Sequence, residues 1–269
     1  MKILFFDIDR TLVGKDKKIS VKVQQAIQSA RKRGHLAILC TGRSRNYIQH
    51  ILDLGFDGCI SNAGAYIEYD HNKIEASYIE PSLVRKVEEI FDELDIAYDH
   101  ECEQIDYVKD KMIQDMFDDQ YPEIKQAKIQ QFLKENKVLP LQEYKGEKVL
   151  KISYSCDTQA QINVLKEKLS DSFDIMVNPA FSKFCGDLMP KNTNKGTAIV
   201  KLIDYLGLDI HDTIGFGDSM NDKDMLKVCE EAVVMQNGDE EIKKLADTIC
   251  ESVEDDGIYY ELLRRKYIE

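Results

Sequence analysis

The run Ile3-Leu4-Phe5-Phe6-Asp7-Ile8-Asp9-Arg10-Thr11-Leu12 places four apolar residues directly before a pair of acids. Four consecutive apolar residues read as a strand buried on both faces, and the abrupt change to Asp7 reads as its carboxyl end. Outward from it an alternation sets in: a helical pattern over Val21 to Lys32, a strand over Leu36 to Cys40, a helix over Ser44 to Leu54, and a strand at Cys59-Ile60. Strands alternating with helices of this length predict an α/β fold, a doubly wound parallel sheet covered on both faces, with ligands at the carboxyl ends of the strands.

From Thr193 the alternation returns, with a helix over Lys195 to Tyr205, a strand over Thr213 to Phe216 and a helix through Met225-Leu226. A strand over Ala232 to Met235, a helix near Ile242 and a last helix through Tyr260 complete it. The stretch between reads differently. It has a helix over Leu83 to Leu94, charged helical segments around Met112 and over Ile124 to Lys134, a strand over Lys148 to Ser155, a helix over Gln159 to Leu169 and a strand over Asp174 to Val177. The predicted organisation is a catalytic core of residues 1–81 and 186–269 interrupted by an inserted α+β domain at 82–185, with Pro81, Pro179 and Pro190 near the crossings.

The 269 residues, 43% hydrophobic, are enough to bury a substantial core in one large domain or two smaller ones. No apolar run reaches the roughly 20 residues that span a bilayer, and the opening apolar run is cut short by Asp7, so the expectation is a soluble cytoplasmic protein without membrane association. Seven scattered cysteines show no metal or redox spacing and read as reduced thiols. A net charge of -13 argues against nucleic acid as the main ligand, whereas a small phosphorylated metabolite remains compatible when a cation mediates. No heptad pattern points to an oligomeric state.

Four clusters carry chemistry. Asp7 and Asp9 repel one another unless a metal or a shared proton divides their roles, leaving one ionised as nucleophile and the other to act as acid and base; a plain turn built by Asp9 and Thr11 is the competing explanation. In Cys40-Thr41-Gly42-Arg43 a hydroxyl and a flexible backbone meet the start of a helix, where a phosphate oxygen can bind, or where Thr41 simply caps. Lys195 in Asn194-Lys195-Gly196 offers a fixed positive charge to a phosphate, or is a solvated surface lysine. Gly215-Phe216-Gly217-Asp218-Ser219-Met220-Asn221-Asp222 supplies more oxygen donors than capping needs, of the kind magnesium prefers. All four fall at strand ends on the same edge of one sheet, a conjunction that the local explanations do not supply.

The order of these motifs resembles that of the haloacid dehalogenase (HAD) superfamily phosphatases, and in particular the Cof-type branch with its class IIB cap between the second and third motifs. The resemblance covers essentially the whole chain. It implies a Rossmann-like core with an inserted cap, and Mg²⁺-dependent hydrolysis of small phosphorylated metabolites, sugar phosphates foremost. It implies an aspartyl-phosphate on Asp7, with Asp9 as general acid and base and the cap setting specificity. Thr41, Gly42 and Lys195 then contact the phosphoryl group, and Mg²⁺ is held by Asp7, the backbone carbonyl of Asp9 and Asp218, with Asn221 and Asp222 in support. Asn62, in Ser61-Asn62-Ala63-Gly64-Ala65, is a further substrate contact by the same resemblance, as Asn221 is for the phosphate. Met235-Gln236-Asn237-Gly238 and Asp255-Asp256-Gly257 resemble structural signatures of the branch. One departure stands in the opening motif, where the family usually has Gly and this chain has Arg10, a bulky cation expected to restrict the loop or reach toward the cap. A phosphomutase with the same intermediate and a non-catalytic phospho-ligand binding or signalling protein are the alternatives; Asp9 and the large insert argue against a receiver-type module.

Overall fold

The computed structural model describes residues 1–117, 122–180 and 183–269. They form two compact units, one of Met1–Arg43, Gln49–Glu75 and Asn194–Glu269, the other of Ser44–Ile48 and Ala76–Thr193. The chain begins with β1 (Ile3–Phe6), α1 (Val21–Lys32), β2 (Leu36–Cys40), α2 (Gln49–Leu52), β3 (Gly58–Ser61), β4 (Tyr66–Tyr69) and β5 (Asn72–Ala76). It continues through α3 (Pro81–Glu93), β6 (Ala97–Cys102), β7 (Asp106–Val108), α4 (Asp110–Met116), α5 (Pro122–Glu135) and β8 (Val138–Pro140). Then come β9 (Val149–Cys156), α6 (Gln159–Leu169), β10 (Phe173–Ala180) and β11 (Lys183–Pro190). It closes with α7 (Lys195–Leu206), β12 (Thr213–Gly217), α8 (Lys223–Val228), β13 (Glu231–Met235), α9 (Glu240–Lys243), β14 (Thr248–Cys250) and α10 (Gly257–Arg264).

The first unit is built on an eight-stranded sheet of order β14-β13-β12-β1-β2-β3-β4-β5. Strands β14 through β3 run parallel, and β4 returns antiparallel to β3. All four residues of β1 are fully buried, as a central strand with helices on both faces requires. One face packs Ile3, Phe5, Ile38 and Val234 against Ala198, Ile199 and Leu202 of α7 and Met225 of α8. On the other, Phe6 stacks on Phe216 at 4.8 Å between ring centroids. Burying side chains of this size contributes about 1.5–3 kcal/mol each. Because β1 has β2 on one side and β12 on the other, the chain winds outward in both directions from their boundary, which opens a crevice at the carboxyl ends of β1 and β12.

The second unit is a six-stranded sheet of order β10-β11-β9-β6-β7-β8, antiparallel except between β7 and β8. Helices α3 and α6 bury Val87, Ile90, Phe91, Ile162 and Leu165 with Tyr98 and Cys102 from β6. Its main chain span, Ala76 to Thr193, extends beyond the expected 82–185 at both ends, and β11, which the sequence reading did not include, carries the sheet to Pro190.

The helix expected over Ser44 to Leu54 is broken. A single 3-10 turn at Arg45–Tyr47 ends at Ile48, and α2 is a separate turn of four residues. The cause is tertiary: residues 44–48 belong to the second unit, where Asn46 Nδ2 donates to Asp106 Oδ1 at 3.1 Å and Tyr47 packs in the small cluster of Val108, Ile113, Ile129 and Val138.

Candidate active site

Asp7 follows β1 directly, and its N–H donates to Phe216 O at 2.9 Å, so the pairing with β12 runs one residue past the strand. That fixes the carboxylate at the crevice, 3% exposed. Opposite it, Asn194 and Thr197 form a reciprocal capping box that starts α7 and sets Lys195 as its first residue. Lys195 is no surface lysine: it is buried and donates from Nζ to Asp7 Oδ1 and to Asp222 Oδ1, both at 2.6 Å. Gly64, at φ 107°, lies so close to Asn194 that a Cβ would come 2.3 Å from its carbonyl oxygen, which leaves room only for glycine beside this helix start.

The loop after β12 adds two more buried acids. Asp222 Oδ2 accepts from the backbone N–H groups of Asp218 and Ser219 at 2.9 and 3.1 Å. A Cβ on Gly217 would lie 2.7 Å from that carboxylate, so the glycine is what admits it. Asp218 Oδ1 accepts from the Thr11 hydroxyl at 3.2 Å, while its Oδ2 is buried and accepts no hydrogen bond; Arg10 Nε lies 3.3 Å from it as an ion pair. Asp7, Asp218 and Asp222 each offer one oxygen, all within 4.8 Å of one another.

This crowding shapes the titration. Burial, then the charges of Asp222 and Asp218, push Asp7 up to about 8 against the pull of Lys195. Asp218 rises to about 7 through burial and Asp222, opposed by Arg10. Burial works against the charge of Lys195, but the two facing carboxylates outweigh it and hold the lysine above its usual value. Three carboxylates with an unbonded oxygen among them are an all-oxygen donor set with surplus negative charge, which fits a hard divalent cation.

Asp9 stands apart from this group. Half-exposed, it makes a two-pronged ion pair with Arg43, from Nε to Oδ2 at 2.8 Å and from NH2 to Oδ1 at 2.6 Å. Burial pushes its pKa up, but the Arg43 hydrogen bonds and charge outweigh that and hold it below the usual carboxylate value. Arg43 is a site residue that sequence reasoning quoted but gave no role; its place after β2, beside the end of β1, is the signal that could have found it. Thr41 is buried and its hydroxyl accepts from Arg43 N–H at 3.1 Å, tightening the Gly42-Arg43 turn, while the cap of the following 3-10 turn is Ser44. Asn62 is fully buried at φ 49°, followed by Ala63 at 55°; two such non-glycine residues in succession are strained, and strain of this kind collects at functional sites. Asn221 is held by the Ser219 hydroxyl at 2.8 Å. Of the two readings the sequence offered for Arg10, a restricted loop and a reach toward the cap, its contacts with Asp218, Asn237 and Asp239 within its own unit agree with the first.

The family model of haloacid dehalogenase-like hydrolases matches residues 4–262. The chain belongs to that family. Among the relatives of this HAD hydrolase, YkrA of Bacillus subtilis, provisionally named a phosphatase, is 25% identical over 96% of this chain and 95% of its own length. YwtE of the same organism, named a 5-amino-6-(5-phospho-D-ribitylamino)uracil phosphatase, is 24% identical over 97% of this chain and 96% of its own. A solved HAD subclass IIB sugar phosphatase superposes with a TM-score of 0.79 at 23% identity, covering 100% of both chains. The HAD hydrolase described here is a phosphatase, acting on phosphoric monoesters. No helix among its described residues is long and apolar enough to cross a membrane.

Proposed function

We propose that this phosphatase hydrolyses small phosphorylated metabolites, sugar phosphates foremost, through a covalent aspartyl-phosphate on Asp7. The observation that carries this reading is Lys195 Nζ, 2.6 Å from both Asp7 and Asp222 at the end of the central strand. Lys195 pulls Asp7 toward its ionised form, against burial and the neighbouring acids, and offers its charge to the incoming phosphate, lowering the repulsion between two anions. Asp7 attacks phosphorus in line with the leaving oxygen, which departs with a proton from Asp9. Asp9 then takes a proton from water, whose oxygen attacks the phosphorus of the acyl phosphate and frees inorganic phosphate and Asp7. Arg43 must loosen its hold on Asp9 while that carboxyl carries the proton. Thr41, Gly42, Asn62 and Asn221 are the proposed phosphate and substrate contacts.

Asp7, Asp218 and Asp222, with Asn221 and the Asp9 carbonyl, would hold Mg²⁺, which when bound offsets charge on the phosphoryl oxygens. Sugar phosphates are favoured because relatives at full coverage are named for sugar and ribityl phosphates. The second unit, the cap in this reading, also presents Asp99, Glu101, Lys151, Ser153 and Asp187 together on its sheet, a set suited to hydroxyl groups. Seven free cysteines support a reducing, cytoplasmic setting.

The test is phosphate release from sugar phosphates, nucleotides and phosphorylated cofactors, with and without Mg²⁺, for the wild type and Asp7→Asn. Release that needs both the metal and Asp7 is expected. Phosphate release that survives Asp7→Asn would overturn the covalent mechanism, and transfer to a second hydroxyl without release would identify a mutase.

A further inference from the structure

Arg10 occupies a left-handed loop position, φ 62°, where any side chain but glycine is strained. Something must repay that strain or tolerate it. The loop is tied on both sides of the residue: Arg10 N–H donates to Val13 O at 2.9 Å, and Arg10 O accepts from Asn237 Nδ2 at 2.8 Å. The guanidinium is then gripped by the segment following β13. Its NH2 donates to Asn237 O at 2.7 Å, and both terminal nitrogens lie 3.3 Å from Asp239 Oδ1. That segment is itself bound to the acidic loop, Asp239 N–H donating to Asp218 O at 2.9 Å. The remaining nitrogen, Nε, is thereby set 3.3 Å from Asp218 Oδ2, the buried oxygen that accepts no hydrogen bond. A solvated surface arginine would sample many rotamers, whereas this one is bracketed by three partners drawn from two loops.

We propose that Arg10 is a tethered counter-cation that competes with the divalent cation for Asp218, so that this chain binds the ion more weakly than it would with a neutral residue there and holds the acidic cluster together when the ion is absent. The inference rests on Asp218 being a metal ligand. Cation and guanidinium seek the same oxygen, and two positive charges at that distance repel. Binding the metal therefore requires Arg10 to give up its contact or to share it.

The experiment is calorimetric titration of the metal-free protein with MgCl₂, together with melting temperatures in EDTA and in saturating MgCl₂. Arg10→Ala is expected to bind Mg²⁺ about two- to five-fold tighter, the upper part of the range in which a partly exposed ion pair acts. It is also expected to melt lower than the wild type in EDTA and to regain the difference in saturating Mg²⁺. Arg10→Gly, which removes the backbone strain as well, should show the same gain in affinity and guards against a misfolded Arg10→Ala. Lys17→Ala removes one positive charge from the same loop and should change affinity less than two-fold. An affinity for Arg10→Ala and Arg10→Gly within two-fold of wild type, or no larger a gain than Lys17→Ala gives, overturns the proposal. Asp218→Ala separates the two levels: unweakened Mg²⁺ binding in that variant would overturn the metal assignment itself, whereas weakened binding beside an unchanged Arg10→Ala would overturn only the role of Arg10.

Discussion

Lys195 in the first unit and Lys151 in the second are each buried between two carboxylates, 2.6 Å from Asp7 and Asp222 in one case and 3.0 Å from Glu101 and Asp187 in the other. In both places burial opposes the lysine charge and the neighbouring acids outweigh it, and in both burial pushes acids upward, Asp7 in one and Asp99 and Glu101 in the other. The charge inventory is nearly the same, and the geometry is not. Asp7 and Asp218 leave neighbouring parallel strands at their carboxyl ends and converge with Asp222, so that one oxygen from each falls within 4.8 Å. Glu101, Lys151 and Asp187 stand on three antiparallel strands, where side chains rise side by side from a sheet. Loops at strand ends can focus charge on a point, and strand interiors can only spread it over a surface.

The largest expected contrast is in turnover. Asp7→Asn should lower phosphate release by roughly a thousandfold or more, since the nucleophile is lost. Asp187→Asn should leave hydrolysis of p-nitrophenyl phosphate, which has no hydroxyl groups to recognise, within about tenfold of wild type while raising KM for sugar phosphates. If Asp187→Asn abolished hydrolysis of both, the second cluster would share in the chemistry and the contrast would fail. Stability gives the next contrast. Lys195→Met and Lys151→Met each leave buried carboxylates without their counter-charge, a loss of about 3–5 kcal/mol by urea denaturation. Saturating Mg²⁺ should restore much of that loss in Lys195→Met and none in Lys151→Met. Equal rescue of both would place cation binding in the second unit as well.

The same contrast explains what could be read from the sequence. That Asp7 and Asp218 lie near one another was legible because each breaks a hydrophobic or glycine-flanked strand at its carboxyl end, and Lys195 was legible because it opens the helix at which the alternation returns. Strand β6, Ala97-Tyr98-Asp99-His100-Glu101-Cys102, was not, because its buried polar face breaks the apolar alternation on which strand reading relies. The helix over Ser44 to Leu54 misled for a different reason: its local pattern is helical, and the break at Ile48 comes from Asn46 and Tyr47 packing into the second unit. The bond from Arg43 to Asp9 and the bracket around Arg10 depend on which loops the topology brings side by side, which no local window contains.

The smallest expected effect tests the two units by pH. His100 is fully buried between the rings of Tyr98 and Tyr144, neither ring nitrogen makes a hydrogen bond, and burial pulls its pKa from 6.5 down to about 4. The unfolded chain therefore takes up the proton first as pH falls, and stability is lost between about 6.5 and 4. Asp7 and Asp218 behave oppositely: raised in the fold to about 8 and 7, they favour the metal-free fold at low pH and lose that contribution as pH rises toward 8. Asp106, raised to about 8 in the second unit, runs with them, so the acid response of the wild type is a difference of opposing parts. Comparing wild type with His100→Leu at pH 7 and pH 5, in saturating Mg²⁺, isolates the histidine. The wild type should lose up to about 2 kcal/mol more than the variant on acidification, less whatever Glu88 Oε1, 3.6 Å from Nε2, returns to the imidazolium. Equal losses in the two proteins would mean that His100 titrates as freely in the fold as outside it, and that the loss on acidification comes from groups other than this histidine.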